Sequence, residues 1–222
     1  MIRNTLIKSI LSLVLKPLAN RYLSKDRYYR FDNIKIRIKS GIFHPGLFFS
    51  TKILIKWLKN QDVIGKHLLE LGAGSGLISF IAVQNGAMVT ASDISPKVIE
   101  NLEFNMNKNQ LKLKSVLSDL FDHIPENQYF DFILINPPYY SKAPISDDER
   151  AWFCGVEFEY FTKLFSQLRM RNFGKAILIL SEDCEIDTIH KLGLKAGIEM
   201  KLEKSEKVLW EWNHIFELSR ML

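Results

Sequence analysis

Between residues 33 and 39 the chain reads Asn-Ile-Lys-Ile-Arg-Ile-Lys, a strict alternation that predicts a half-buried strand. Gly41 and the His44-Pro45-Gly46 run end it in a turn. The next stretch, Leu47 to Leu58, sets Leu47, Ile53, Leu54, Trp57 and Leu58 at helical spacing. From there strands and helices alternate. Apolar runs predict strands over Lys66–Leu71, Ala87–Ser92, Leu111–Leu117, Phe130–Ile135 and Lys175–Leu180. Helices are expected over Gly76–Gln84, Pro96–Asn107, Phe158–Met170 and Ile186–Lys195, with Ser95 at an N-cap and Pro96 in the first turn. The end differs. Ile198–Leu202 and Val208–Leu218 are both strand-like, and only the polar run Glu203–Lys207 separates them, so an antiparallel hairpin is expected.

Alternating strands and helices imply an α/β fold with a mostly parallel sheet and helices on both faces. Counting the closing hairpin gives a seven-stranded, Rossmann-like sheet. A chain of 222 residues suits one main domain with a short appendage. The expected division is an N-terminal helix and strand extension over residues 1–45 and a main domain over residues 46–222. Met1 to Leu18 reads as an amphipathic helix docked on the domain. Its apolar run is short, and Lys16-Pro17 follows where a cleavable signal would need small residues.

Composition narrows the class a little further. Hydrophobic residues make up 47% and charged residues 25%, which argues against disorder. No apolar stretch is long enough to span a bilayer, so no integral membrane contact is expected. Cys154 and Cys184 lack close partners, and the five histidines are scattered, so neither a disulfide framework nor a metal site is expected. A reducing cytoplasm and a monomer are the expected setting. The formal charge is +5, and ten of the cations lie between Arg3 and Lys39. Such a cluster suits a nucleic-acid partner or a solvated face.

The candidate chemistry lies at strand ends. Glu70-Leu71-Gly72-Ala73-Gly74-Ser75-Gly76 joins the first parallel strand to a helix. Gly72, Gly74 and Gly76 permit a tight turn and close approach of a ligand to the backbone. Leu77 stands where a dinucleotide fingerprint needs glycine or alanine. Glu70 would repel a diphosphate but suits the cationic amino group of a methionine moiety. Asp93 ends the second strand, about 20 residues on, where an acid reaches two ribose hydroxyls. Asp119 follows the third; it can accept from an adenine amine while Leu120 or Phe121 packs near the ring. Together these seven residues read as an S-adenosyl-L-methionine site.

A second motif, Asn136-Pro137-Pro138-Tyr139, follows directly on the fourth strand. A conjugated –NH₂ is a poor nucleophile, because its lone pair is delocalised. It needs orientation more than deprotonation. The Asn136 side-chain oxygen and the Pro137 carbonyl can each accept one of its N–H groups, favouring the charge that develops on nitrogen. The prolines stiffen the acceptors, and Tyr139 offers a face for a planar group. Asn136, Pro137 and Tyr139 are thus the candidate catalytic residues, with Asn136 also beside the cofactor.

On these motifs the chain resembles class I S-adenosylmethionine-dependent methyltransferases of the Asn-Pro-Pro-Tyr type, in particular the HemK-type enzymes that methylate a glutamine side chain of translation release factors. The resemblance covers about Gly41 to Leu180. It includes the Phe43-His44-Pro45-Gly46 turn, Thr51 and the Glu149-Arg150-Ala151-Trp152-Phe153-Cys154-Gly155 segment. It implies that residues 46–222 form a methyltransferase catalytic domain acting on a protein substrate, such as a translation factor or ribosomal protein. The same tetrapeptide occurs in enzymes that methylate adenine or guanine amines of RNA or DNA, which is the alternative acceptor. Two departures bear on the acceptor: Gly155 stands alone where smaller members often carry more glycines, and the first forty residues leave no room for the helical substrate-binding domain of the bacterial enzymes.

Overall fold

The computed structural model describes residues 23–146, 148–209 and 211–221. The helix expected over residues 1–18 lies outside them. The chain begins with a two-stranded hairpin, β1 (Arg27–Phe31) and β2 (Ile34–Ile38). α1 (Phe49–Leu58) follows, then β3 (His67–Leu71), α2 (Leu77–Gln84), β4 (Met88–Asp93), α3 (Pro96–Asn109) and β5 (Lys114–Leu117). The second half comprises β6 (Phe130–Ile135), α4 (Glu159–Arg169), β7 (Phe173–Ser181), α5 (Ile186–Lys195), β8 (Ile198–Val208) and β9 (Glu211–Arg220). A 3₁₀ turn over Asp148–Ala151 lies between β6 and α4.

Seven strands form one sheet in the order β5-β4-β3-β6-β7-β9-β8. The first five are parallel, and β9 runs antiparallel to both β7 and β8. β3 and β6 are apolar without alternation because helices cover both faces of the sheet centre. One face packs Leu68, Phe132, Leu134, Ile177, Ile179 and Ile215 against α1, α2 and α3. The other packs Leu69, Leu71, Ile133, Ile135 and Leu178 against α4 and α5. After β4 and β5 have been laid on one side of β3, the chain crosses to lay β6 on the other. That reversal opens a crevice at the carboxyl ends of β3 and β6.

The terminal hairpin departs from the expected pattern. The polar run Glu203–Lys207 is not a loop but part of β8, and the chain turns after it, at Leu209 with φ +56°. An edge strand with a solvated face accepts polar residues. Here they also find partners: Trp57 Nε1 donates to Glu203 Oε1 at 2.8 Å, and Lys56 bonds Glu206 at 2.9 Å. A register shift between Leu202 and Lys204 accommodates the length.

β1 was not legible, since Arg-Tyr-Tyr-Arg-Phe has no clean alternation; pairing with β2 makes it a strand. The hairpin packs Ile34, Ile36 and Ile38 into the core shared with the sheet. Its outer edge is held by two asparagine side chains of α3. Asn105 Oδ1 accepts from Arg37 N at 2.8 Å, and its Nδ2 donates to Arg37 O at 2.7 Å. One helical turn on, Asn109 repeats the pair with Lys35 N and O, at 3.1 and 2.9 Å. Two amides at i and i+4 thus stand in for a third strand.

Candidate active site

Register brings the candidate residues together. Leu71 on β3 is level with Ile135 on β6, so the next residues, Gly72 and Asn136, leave neighbouring strands at one height. Asp93 pairs with Leu117, so Asp119 follows just beyond. A cavity of about 420 Å³ lies above these ends. Its lining includes Glu70, Gly72, Gly74, Asp93, Asp119, Leu120, Asn136, Pro137 and Tyr139. Gly76 lies outside it.

The three glycines do different work. At Gly72, φ is +70° and an added Cβ would meet nothing within 4 Å, so its backbone faces open cavity. Gly76 also has positive φ, but a Cβ there would collide with the side chains of Leu102 and Phe80. Gly76 is therefore packed between the loop, α2 and α3, away from the cavity lining.

Glu70 is buried at the cavity floor. Its Oε2 accepts from Ser79 N at 2.9 Å and from the Ser79 hydroxyl. Burial nevertheless dominates and pushes its pKa up to about 8. A carboxyl of this kind ionises readily only beside a cation. Ser79 has a faint sequence signature, as the one hydroxyl in the apolar run Leu-Ile-Ser-Phe-Ile-Ala-Val.

Asp93 holds the glycine loop. Its Oδ2 accepts from Gly74 N at 3.0 Å and its Oδ1 from Ser95 N at 2.9 Å. Burial raises its pKa, against those bonds. Ser95 occupies the N-cap of α3, but its side chain makes no capping bond. Asp119 is not a free acceptor: Lys163 on α4 bonds its Oδ2 at 2.7 Å and Asp122 at the same distance. Lys163 lines the cavity as well, and no spacing ties residue 163 to residue 119. Leu120 sits at φ +52°, a strained position for leucine, held by Ser118 Oγ donating to its carbonyl at 2.8 Å.

On the far side, Asn136 Nδ2 donates to Thr51 Oγ1 at 3.5 Å. Thr51 is a buried residue of the first turn of α1. Among the described residues no donor bonds Asn136 Oδ1, so that atom is available to a ligand. Tyr139 packs on Tyr140, with ring centroids 4.8 Å apart, and burial raises its pKa well above the usual phenol value. Its hydroxyl stays neutral, so it offers a ring and no base.

Two segments roof the cavity. Phe43, Phe48 and Trp152 form an aromatic triangle with centroids 4.7 to 5.2 Å apart. It joins the turn before α1 to the loop between β6 and α4. That loop is tied at its base, where Tyr140 N donates to Trp152 O and Cys154 N to Tyr140 O. Lys97 on α3 adds a bond to Asp148 at 2.5 Å. Among the described residues no cluster of metal-ligating side chains exists, and no helix is long and apolar enough to cross a membrane.

Comparison with known proteins follows the same outline. Residues 33–151 match the family model for the methyltransferase small domain. A proposed protein N5-glutamine methyltransferase of Methanocaldococcus jannaschii is 35% identical over 121 residues, 54% of this chain and 56% of the relative. A tRNA1(Val) (adenine(37)-N6)-methyltransferase of Shewanella loihica is 32% identical over 126 residues, 52% of each chain. The match thus spans about half the length of these curated relatives. Among solved structures, the E. cuniculi Mtq2-Trm112 complex, responsible for methylation of the eRF1 termination factor, superposes with a TM-score of 0.61. It covers 81% of this chain and 99% of that one, at 22% identity, a likeness of fold. The chain belongs to the methyltransferase small domain family.

Proposed function

We propose that this protein transfers a methyl group to a planar amide or amine nitrogen, and that the acceptor is a glutamine side chain of a protein. The carrying observation is that Asn136, with its amide held by Thr51, lines the same cavity as Glu70 and Gly72. The 35% identity to the archaeal relative, over the half of the chain that holds these motifs, supports glutamine as the acceptor.

The residues fit the donor. Bound S-adenosylmethionine supplies an electrophilic methyl group on a cationic sulfur. Buried Glu70 is matched to an ammonium group, which restores its ionised form. Asp93 is positioned for the ribose hydroxyls, and Gly72 leaves space for close approach. Leu120 and the Asp119–Lys163 pair flank the remaining wall, where an adenine ring can lie. A cavity of about 420 Å³ falls within the usual span for small-molecule sites.

For the acceptor, Asn136 Oδ1 and the Pro137 carbonyl each take one N–H of the –NH₂ group. Two acceptors on one nitrogen fix its plane and favour the positive charge that grows on it as the N–C bond forms. Tyr139 stacks on the flat amide. The extra proton on nitrogen is lost to water after transfer, so no side chain has to remove it beforehand. Phe43 and Trp152, joined with Phe48 in the aromatic triangle, line the cavity that would hold the donor.

The test is incubation of the purified protein with methyl-labelled donor and cell lysate, followed by separate protease and nuclease digestion. Label that resists nuclease and maps to a glutamine nitrogen supports the reading. Label confined to RNA or DNA replaces glutamine with a base amine, and the absence of any label removes methyl transfer itself.

A further inference from the structure

We infer that the outer face of the β1–β2 hairpin, together with α3, binds a single-stranded nucleic acid. The face carries Tyr28, Arg30, Lys35 and Arg37 from the hairpin, and Phe104 and Lys108 from α3. Tyr28 pairs across the strands with Arg37, and Arg30 with Lys35, so all four side chains project on one side. The alternate residues Ile34, Ile36 and Ile38 are buried on the other.

Two features set this face apart from an ordinary solvated surface. Arg30 and Lys35 stand directly opposite each other, an arrangement of like charges that destabilises a strand pair. None of Arg30, Lys35, Arg37 or Lys108 has an ion-pair partner among the described residues. The nearby carboxylates are held elsewhere: Glu100 by Lys39 at 2.6 Å, Asp32 by Lys59 at 2.6 Å, and Glu103 by the Ser115 hydroxyl. An anionic chain laid across the face relieves the repulsion.

The aromatic component is equally specific. The Arg37 guanidinium lies 3.7 Å from the centre of the Phe104 ring, and Lys108 Nζ lies 4.6 Å from that of Tyr28. Both rings are exposed, Tyr28 at 66% and Phe104 at 38%. Each ring carries a cation over one face, so phosphates find a counter-charge beside exposed rings on which bases can stack. The Asn105 and Asn109 amides fix the hairpin on α3, so these groups are presented rigidly. A flat two-stranded ribbon suits a single strand whose bases are turned out. This inference stands apart from the identity of the methyl acceptor, because it is tested without turnover.

The test is fluorescence anisotropy with labelled 20-nucleotide RNA and DNA of one mixed sequence, across a series of salt concentrations. Binding of either is expected, weakening by about 0.7 logarithmic units per tenfold rise in salt for each phosphate contacted. Lys35→Ala with Arg37→Ala should lose at least about tenfold in affinity and flatten the salt slope by about 1.4, for two contacts. Tyr28→Ala should weaken binding by about tenfold and leave the slope unchanged, because stacking releases no counterions. Should the double variant fail to fold, Arg30→Ala with Lys108→Ala probes the same face. No binding at low salt, or full affinity and slope in a folded variant, overturns the inference. So does binding of phosphatidylserine vesicles without binding of either oligonucleotide.

Discussion

Thr51 Oγ1 accepts a hydrogen bond from Asn136 Nδ2 at 3.5 Å, which ties the first turn of α1 to the end of β6. The Thr51 hydroxyl can donate as well as accept, so the contact holds the Asn136 amide in place, while Oδ1, with no donor among the described residues, is left for a ligand. Thr51 thereby acts as a positioning residue. Thr51→Val, close in volume but without the hydroxyl, should lower kcat by about ten- to a hundredfold, the scale of one misplaced group. Thr51→Ser should restore most of it. Donor affinity, measured by calorimetry, should stay near the parent value in both. Equal losses in the two variants would instead mark a packing role. Asn136→Ala should abolish turnover and leave donor affinity nearly intact.

Glu70 gives a pH dependence with a definite sign. In the free protein it keeps its proton up to about pH 8, whereas the unfolded chain releases it near 4.5. Between those values the native state binds more protons, so this residue lowers stability as pH rises. The thermal midpoint of the unliganded protein should fall from pH 5 to pH 8, and Glu70→Gln should remove part of that slope. Donor binding has the opposite trend, because an ammonium group selects the ionised acid. Affinity should improve by up to about tenfold per pH unit towards pH 8 and then level off. A flat titration between pH 6 and pH 8 would remove Glu70 from the cation site.

Gly72 and Gly76 share the left-handed conformation but should fail differently. Gly76→Ala drives a methyl group into Leu102 and Phe80, in addition to the strain of its positive φ. A loss of stability of about 2–4 kcal/mol is expected in urea denaturation. At Gly72 the methyl enters open cavity, so only the strain, roughly 1–2 kcal/mol, should appear in stability. Its larger effect should be on donor affinity.

The asparagine ladder makes a stability prediction distant from the site. Asn105→Leu leaves Arg37 N and O without their buried partners, at a cost of about 1–3 kcal/mol. Asn109 is less buried and should cost less when replaced. Chemical denaturation measures both, and the double variant should exceed either single change.

The order of strands and helices was legible because each element buries its own face. Phe130–Ile135 and Ile186–Lys195 lie where their apolar patterns put them. Boundaries set by partners were not. β8 continues through Glu203–Lys207 because β9 pairs with it there, and Trp57 and Lys56, nearly 150 residues earlier, bond its carboxylates. β1 exists because β2 is there to pair with. The position of Glu70, Asp93 and Asn136 at the cavity was readable because the crevice of an open sheet of this kind lies at its strand ends. Lys163 beside Asp119, and Gly76 turned towards packing, were not.

The local pattern of the chain determined where backbone hydrogen bonds close into strands and helices, and which residue types stand at the strand ends, since both follow from side chains within a few positions. Only the tertiary structure decided which way the Asn136 amide faces, what neutralises Asp119 and why Glu70 holds its proton. Those properties depend on burial and on partners brought close by the sheet from 9 to 85 positions away.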